Sequence, residues 1–114
     1  MKILVVDDDK NTLLLLQLLL TRADCLVTIA HDAEEGFAAL KKTRFDWLIV
    51  DGQMMPVDGF AVAVKAKEIQ PNIKTIMISG IYEPADIEGR PIGKIFSKPV
   101  NTDALVSYLR QPGL

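Results

Sequence analysis

Three separated groups of residues in this chain could do chemistry together: Asp7-Asp8 near the start, Asp51 in the middle and Lys98-Pro99 near the end. Each follows an apolar run short enough to be one buried strand, namely Ile3-Leu4-Val5-Val6, Leu48-Ile49-Val50 and, less cleanly, Ile95-Phe96. Parallel strands all finish at one sheet edge, and open α/β sheets bind ligands outside that edge, so the three groups are expected to meet there. Carboxylates crowded at one point repel each other, and a divalent cation offsets the repulsion. An all-oxygen set from Asp8, Asp51 and a nearby carbonyl suits Mg²⁺, which takes a few carboxylates and keeps several waters. Ser79 follows the apolar run Thr75–Ile78, so its hydroxyl belongs to the same edge, and Gly80 leaves room for a bulky group to approach the backbone. A metal, a hydroxyl and an ammonium around one carboxylate amount to a phosphoryl site: Asp51 attacks, Mg²⁺ bridges the oxygens, and Lys98 and Ser79 take the remaining charge. A cis Lys98-Pro99 bond would aim the ammonium inward. Any one of these Asp residues alone reads equally as a helix cap or a solvated turn. The pair together with Asp51 at matching strand ends is what carries the reading.

The elements that must position these groups alternate five times. Strands are expected at Lys2–Val6, Leu26–Ala30, Trp47–Val50, Thr75–Ile78 and Lys94–Ser97. Helices are expected at Asn11–Ala23, Ala33–Lys42, Gly59–Ile69 and Thr102–Arg110, with a short one near Pro84–Glu88. Asp32 and Glu35 have capping-box spacing, Asp58 is placed to cap the helix that follows it, and Asn101 the last one. Pro71 and Asn72 stop the third helix before the fourth strand. Right-handed β–α–β crossovers then give a parallel (βα)5 sheet covered on both faces. The doubly wound order 2-1-3-4-5 is the economical choice, because it sets strands 1 and 3 side by side and so Asp7, Asp8 and Asp51 in one pocket.

Composition narrows the function further. At 114 residues, with 49% hydrophobic and 25% charged side chains, residues 1–114 read as one domain able to bury its own core. Thirteen basic residues against fifteen acidic ones give a formal charge of −2, without the Lys/Arg stripe that would neutralise phosphates, so direct nucleic-acid binding is not expected. Cys25 is the lone cysteine, and the apolar run at 3–6 is too short for a signal sequence, which fits the reducing cytoplasm. Leucine occupies seven of the eight positions from Leu13 to Leu20, but this run lies between Lys10 and Arg22 and is far short of the roughly 20 apolar residues that a bilayer span needs. It reads as a globular helix, with no membrane partner.

Val5-Val6-Asp7-Asp8-Asp9, Asp51-x-x-Met54 with Asp58-Gly59, Ile78-Ser79-Gly80 and Lys98-Pro99 together resemble the receiver domain of two-component response regulators, across essentially the whole chain. The resemblance implies a CheY-like, flavodoxin-like three-layer sandwich in which Asp51 accepts phosphate from a phosphohistidine of a sensor histidine kinase or histidine phosphotransfer protein. It further implies that Asp8, Asp51 and the Gln53 main-chain carbonyl bind Mg²⁺, with Asp7 acting through water. The Gln53 side chain is implied to orient the water that hydrolyses the acyl phosphate. Such a module is a switch rather than a conventional enzyme, toggling when Asp51 gains a doubly charged group.

Three departures from the family pattern stand out. Met55 occupies the position four after Asp51 where the family carries proline, and Pro56 comes one later, which predicts a re-shaped loop. Ile95 stands where the family has a switching Tyr or Phe; Tyr82 and Phe96 are the aromatics that could substitute for it, a minority reading. The stretch from Ser79 to Lys98 is short and holds Pro84, Pro91, Gly80, Gly89 and Gly93, which work against a full fourth helix.

On the first helix, 100° per residue puts Thr12, Leu15, Leu16 and Leu19 on one face and leaves Leu14 and Leu18 pointing outward. These two are expected to dock a partner helix, either the phosphodonor bundle or a second copy of the chain. His31, with no Cys or second His nearby, reads as a surface residue; Trp47 and Met77 read as core. Two other functions compete. An aspartyl-phosphate hydrolase would want a second Asp two residues after the nucleophile, where Gln53 stands, and a receiver-like scaffold that takes no phosphate is allowed by Met55, Pro56 and Ile95. Gln111–Leu114 follows the last helix directly, which fits a single-domain regulator or a receiver cut from something longer, and Met1 at the first strand favours a natural start.

Overall fold

Five short runs of β-branched and aliphatic residues form the strands of one parallel sheet. The computed structural model describes residues 1–111; the tail expected over 112–114 lies outside them. Chain order is β1 (Lys2–Val6), α1 (Lys10–Arg22), β2 (Leu26–Ala30), α2 (Ala33–Lys42), β3 (Trp47–Asp51), α3 (Gly59–Ile69), β4 (Lys74–Ser79), β5 (Lys94–Ser97) and α4 (Thr102–Leu109). A single 3₁₀ turn, Pro84–Ile87, stands between β4 and β5 in place of a full helix. The sheet order is β2-β1-β3-β4-β5, all neighbours parallel, as the sequence predicts.

The register decides what shares the carboxyl edge. Val6 pairs with Val50 and Asp51 with Ile78, so Asp7, Asp51 and Ser79 leave the sheet at nearly one level. Beyond Ile78, Ser79 pairs with Ser97, which brings the Lys98 turn to the same level. Alternate residues of each strand feed two cores. Leu4, Val6, Leu48, Val50 and Met77 face α2 and α3, while Ile3, Val5, Trp47, Ile49, Ile76 and Ile78 face α1 and α4. Trp47 and Met77 are core, as expected.

Local chemistry explains the helix ends. Asp32 Oδ1 accepts the Glu35 N–H at 2.8 Å, Asp58 Oδ1 the Ala61 N–H at 2.9 Å and Asn101 Oδ1 the Ala104 N–H at 3.0 Å, so all three expected caps form. Glu35 does not close a box on Asp32; its Oε1 accepts the His31 N–H instead, at 3.0 Å, and sits 3.2 Å from the exposed His31 ring. No described helix is long and apolar enough to cross a membrane.

Several expected boundaries shift. β3 runs on to Asp51 and β4 spans Lys74–Ser79, so the phosphoacceptor candidate and the serine are themselves strand termini. α1 starts at Lys10 rather than Asn11, because Asp9 caps it, and ends at Arg22; α4 ends at Leu109. The larger correction concerns the face of α1. Leu13, Leu16 and Leu20 are buried, Leu15 is exposed and Leu19 half-buried, so the stripe is rotated from the expected Thr12, Leu15, Leu16 and Leu19. Seven leucines offer no polar contrast to set the phase of the helix, and the packing against Ile3, Val5 and Ile49 sets it instead. Leu14 and Leu18 do point outward, 59% and 49% exposed.

Candidate functional site

The loop after β1 turns sharply because Asp7 folds back on its own backbone. Its Oδ1 accepts the Asp9 N–H at 2.9 Å, an Asx-type turn that closes the chain over the sheet edge. Asp9 then caps α1, taking the Asn11 N–H and the Thr12 hydroxyl, both at 3.0 Å. Those two donors hold the Asp9 carboxyl below the usual carboxylate range. This capping role was not read from the sequence, although an Asp three residues before a Thr at a helix start was the available signal.

Asp51 ends β3 almost out of solvent, at 3% exposure, and its Oδ1 accepts the Gln53 N–H at 3.2 Å. The α3 N-terminus presses against it: a Cβ on Gly59 would stand 2.3 Å from the Asp51 carbonyl oxygen. No side chain fits in that space, so glycine is required after the Asp58 cap. Exposed Asp8 completes a group in which one carboxylate oxygen each from Asp7, Asp8 and Asp51 lies within 4.8 Å of the others.

Lys98 Nζ lies 3.2 Å from Asp51 Oδ1 and 3.7 Å from Asp7 Oδ2. The Lys98-Pro99 peptide is cis, as is Met55-Pro56 in the loop after β3. Burial works against the Lys98 charge, yet the carboxylates of Asp7 and Asp51 outweigh it and hold its pKa above the usual lysine value. For Asp7, 2% exposed, burial and then the neighbouring Asp51 charge prevail over the Asp9 N–H and Lys98, and push the carboxyl up to about 6. One ammonium among three carboxylates leaves an excess of negative charge. Hard oxygen donors with a surplus of charge fit a divalent cation such as Mg²⁺.

Ser79 is buried at the end of β4, and its Oγ accepts two backbone N–H groups, from Ile81 at 3.1 Å and Tyr82 at 3.0 Å. Gln53 lies at the rim, exposed, with its Oε1 accepting the Gly80 N–H at 3.3 Å. Ile95 is buried core. Tyr82 packs edge-to-face on Phe60 at 4.8 Å, and Phe96 on Tyr108 at 6.0 Å.

A doubly wound sheet with three carboxylates and a lysine gathered at its carboxyl edge defines a flavodoxin-like α/β domain of the CheY type. The response regulator receiver domain family matches residues 3–110. The response regulator receiver protein CpdR of Brucella abortus (strain 2308) is 28% identical over 113 residues, covering 96% of this chain and 94% of that protein. The two-component response regulator ARR10 of Arabidopsis thaliana is 34% identical over 86 residues, covering 74% of this chain but only 15% of that protein. Among solved structures, a CheY-like response regulator receiver domain protein from Methanospirillum hungatei JF-1 matches with a TM-score of 0.89 at 27% identity, over 96% of this chain and 90% of that one. The chain belongs to the response regulator receiver domain family.

Proposed function

We propose that residues 1–114 work as one phosphoacceptor module in the cytoplasm, and that Asp51 takes a phosphoryl group from a phosphohistidine on a sensor histidine kinase or histidine phosphotransfer protein. The observation that carries this reading is the buried Asp51 carboxylate held 3.2 Å from Lys98 within a cluster of two further carboxylates. An Asp51 oxygen attacks phosphorus, the P–N bond breaks, and its electron pair leaves on the imidazole nitrogen, which then takes a proton.

Asp8, Asp51 and the Gln53 main-chain carbonyl would hold Mg²⁺, with Asp7 acting through water. When bound, the ion neutralises charge that builds on the phosphoryl oxygens. Lys98 releases the carboxylate it now pairs and takes up a phosphoryl oxygen in a charge-assisted hydrogen bond. The Ser79 hydroxyl has both lone pairs occupied by backbone donors, so its proton is free to be donated to another oxygen. Gln53 offers no carboxyl for acid catalysis at the position where an aspartyl-phosphate hydrolase would need one, which supports a switch over ester turnover.

Intact mass after incubation with acetyl phosphate and Mg²⁺ tests the chemistry. Wild type should gain one phosphoryl group and Asp51→Asn none. The same gain on the variant would move the acceptor elsewhere, and no gain on wild type would favour a phosphate-independent scaffold.

A further inference from the structure

The chain lacks both a full helix between β4 and β5 and an aromatic ring at residue 95, yet its Ser79 turn is firmly built. Three contacts build it. Ser79 Oγ holds the N–H groups of Ile81 and Tyr82, at 3.1 and 3.0 Å. The Tyr82 ring lies over the backbone that follows the phosphoacceptor, where a Cβ on Gly52 would meet Tyr82 Cδ2 at 3.0 Å and the Ser79 Cβ at 3.3 Å. That ring then packs edge-to-face on Phe60 in the first turn of α3, 4.8 Å between centroids and 69° between planes. From the far end of the same segment, the Arg90 guanidinium stacks on the Phe60 ring at 3.9 Å. Phe60 is thus gripped by both ends of the Tyr82–Arg90 segment, and α3 itself is seated on the Asp51 carbonyl through Gly59.

We infer that Tyr82, clamped on Phe60 with Arg90, is a positioning residue for phosphoryl acceptance: it holds the Ile81 and Tyr82 amides on Ser79 Oγ and so keeps the Ser79 proton available as a donor at Asp51. The inference deepens the phosphoacceptor reading and rests on it. Its physical core is donor arithmetic. A serine hydroxyl has one proton and two lone pairs. With both lone pairs filled by fixed N–H groups, the proton is left for donation outward, toward the site. Release of the two amides would free the hydroxyl to rotate, and Ser79 would lose its fixed direction. The same clamp ties the exposed Ile81 and the 3₁₀ turn to the state of the site, so a phosphoryl group that draws on Ser79 also draws on this surface segment.

Two measurements on one set of variants test it: amide hydrogen exchange of the unphosphorylated protein, and the rate of phosphoryl uptake from acetyl phosphate with Mg²⁺ by intact mass. Tyr82→Phe, which keeps the ring, should match wild type in both. Tyr82→Leu and Arg90→Gln should speed exchange at Ile81 and Tyr82 and slow uptake, for Tyr82→Leu by about tenfold or more. Urea unfolding identifies any variant that has lost the fold itself, and Arg90→Gln, at the exposed end of the clamp, keeps the test usable if Tyr82→Leu does not fold. Unchanged exchange in the folded variants, or faster exchange with wild-type uptake, overturns the inference. No uptake by wild type overturns the phosphoacceptor reading and the inference with it, whereas faster exchange and slower uptake in Tyr82→Leu and Arg90→Gln, with Tyr82→Phe like wild type, is the supporting outcome.

Discussion

Lys98 Nζ lies 3.2 Å from Asp51 Oδ1 and only 0.5 Å farther, at 3.7 Å, from Asp7 Oδ2, so one cation is shared between two buried carboxylates. A shared cation is a movable one, since leaving Asp51 still keeps it beside Asp7. Lys98→Gln retains a hydrogen-bonding head but no charge. Phosphoryl accumulation from acetyl phosphate should fall by about 10²-fold, the usual loss when one preorganised donor to developing charge is removed. Circular dichroism in Mg²⁺ should show an intact fold, because the added cation takes over part of the lysine's charge. A variant phosphorylated at the wild-type rate would remove Lys98 from the chemistry.

Burial of Asp7, with the neighbouring Asp51 charge second, gives the metal-free protein a specific pH dependence. Asp7 takes its proton at about 6 in the folded chain and at its ordinary value of 3.8 when unfolded. Between these values the folded state binds more protons, so the contribution of Asp7 to stability is fully present below pH ~4 and is lost as pH rises through 6. Urea unfolding in a chelator at pH 5 and pH 7 measures it, with Asp7→Asn as reference because other carboxyls titrate as well. Wild type should lose more stability than Asp7→Asn between the two values. An equal or smaller loss would mean that the crowding at Asp7 is relieved in some other way.

Much of this architecture was legible because the chain signals locally. Four of the five strands are runs of apolar residues closed by Asp, Ser or a similarly polar stop, and the caps Asp32, Asp58 and Asn101 mark their helices without tertiary help. Convergence of Asp7, Asp51 and Lys98 followed from topology, since parallel strands in the order β2-β1-β3-β4-β5 share one carboxyl edge. The failure on α1 is equally physical. A run in which only Gln17 is polar carries no phase, so the choice between Leu15 and Leu13 is made by the sheet. The Tyr82–Phe60–Arg90 stack lay beyond reach for a different reason: its members are up to 30 residues apart, and no periodicity links them.

Gly59 is the point where fold and site are one structure. A Cβ there would lie 2.3 Å from the Asp51 carbonyl oxygen and 2.9 Å from the Gly52 Cα, both rigid backbone. Relief requires α3 or the end of β3 to move. Gly59→Ala should therefore cost about 1–3 kcal/mol in chemical denaturation, as overpacking does, despite the better helix propensity of alanine. It should also slow phosphorylation, since the displaced backbone carries Asp51, the proposed acceptor. Stabilisation, the usual result of Gly→Ala in an unstrained helix, would show that the contact relaxes freely.

Leu14 and Leu18 remain exposed although the rest of the α1 stripe was reassigned, and they stand one helical turn apart. Their exposure means that folding does not use them. Leu14→Glu should change stability by no more than about 0.5 kcal/mol, whereas Leu16→Ala, on the buried face, should cost about 2–5 kcal/mol. If the pair docks the helix of a phosphohistidine-bearing partner, Leu14→Glu should slow transfer from a purified phosphorylated histidine phosphotransfer protein while leaving uptake from acetyl phosphate at the wild-type rate. Under the proposed function the two donors share every step at Asp51 and differ only in the surface they need. Equal loss with both would place the defect in the pocket rather than in docking, and loss with neither would leave these leucines without a part in donor recognition.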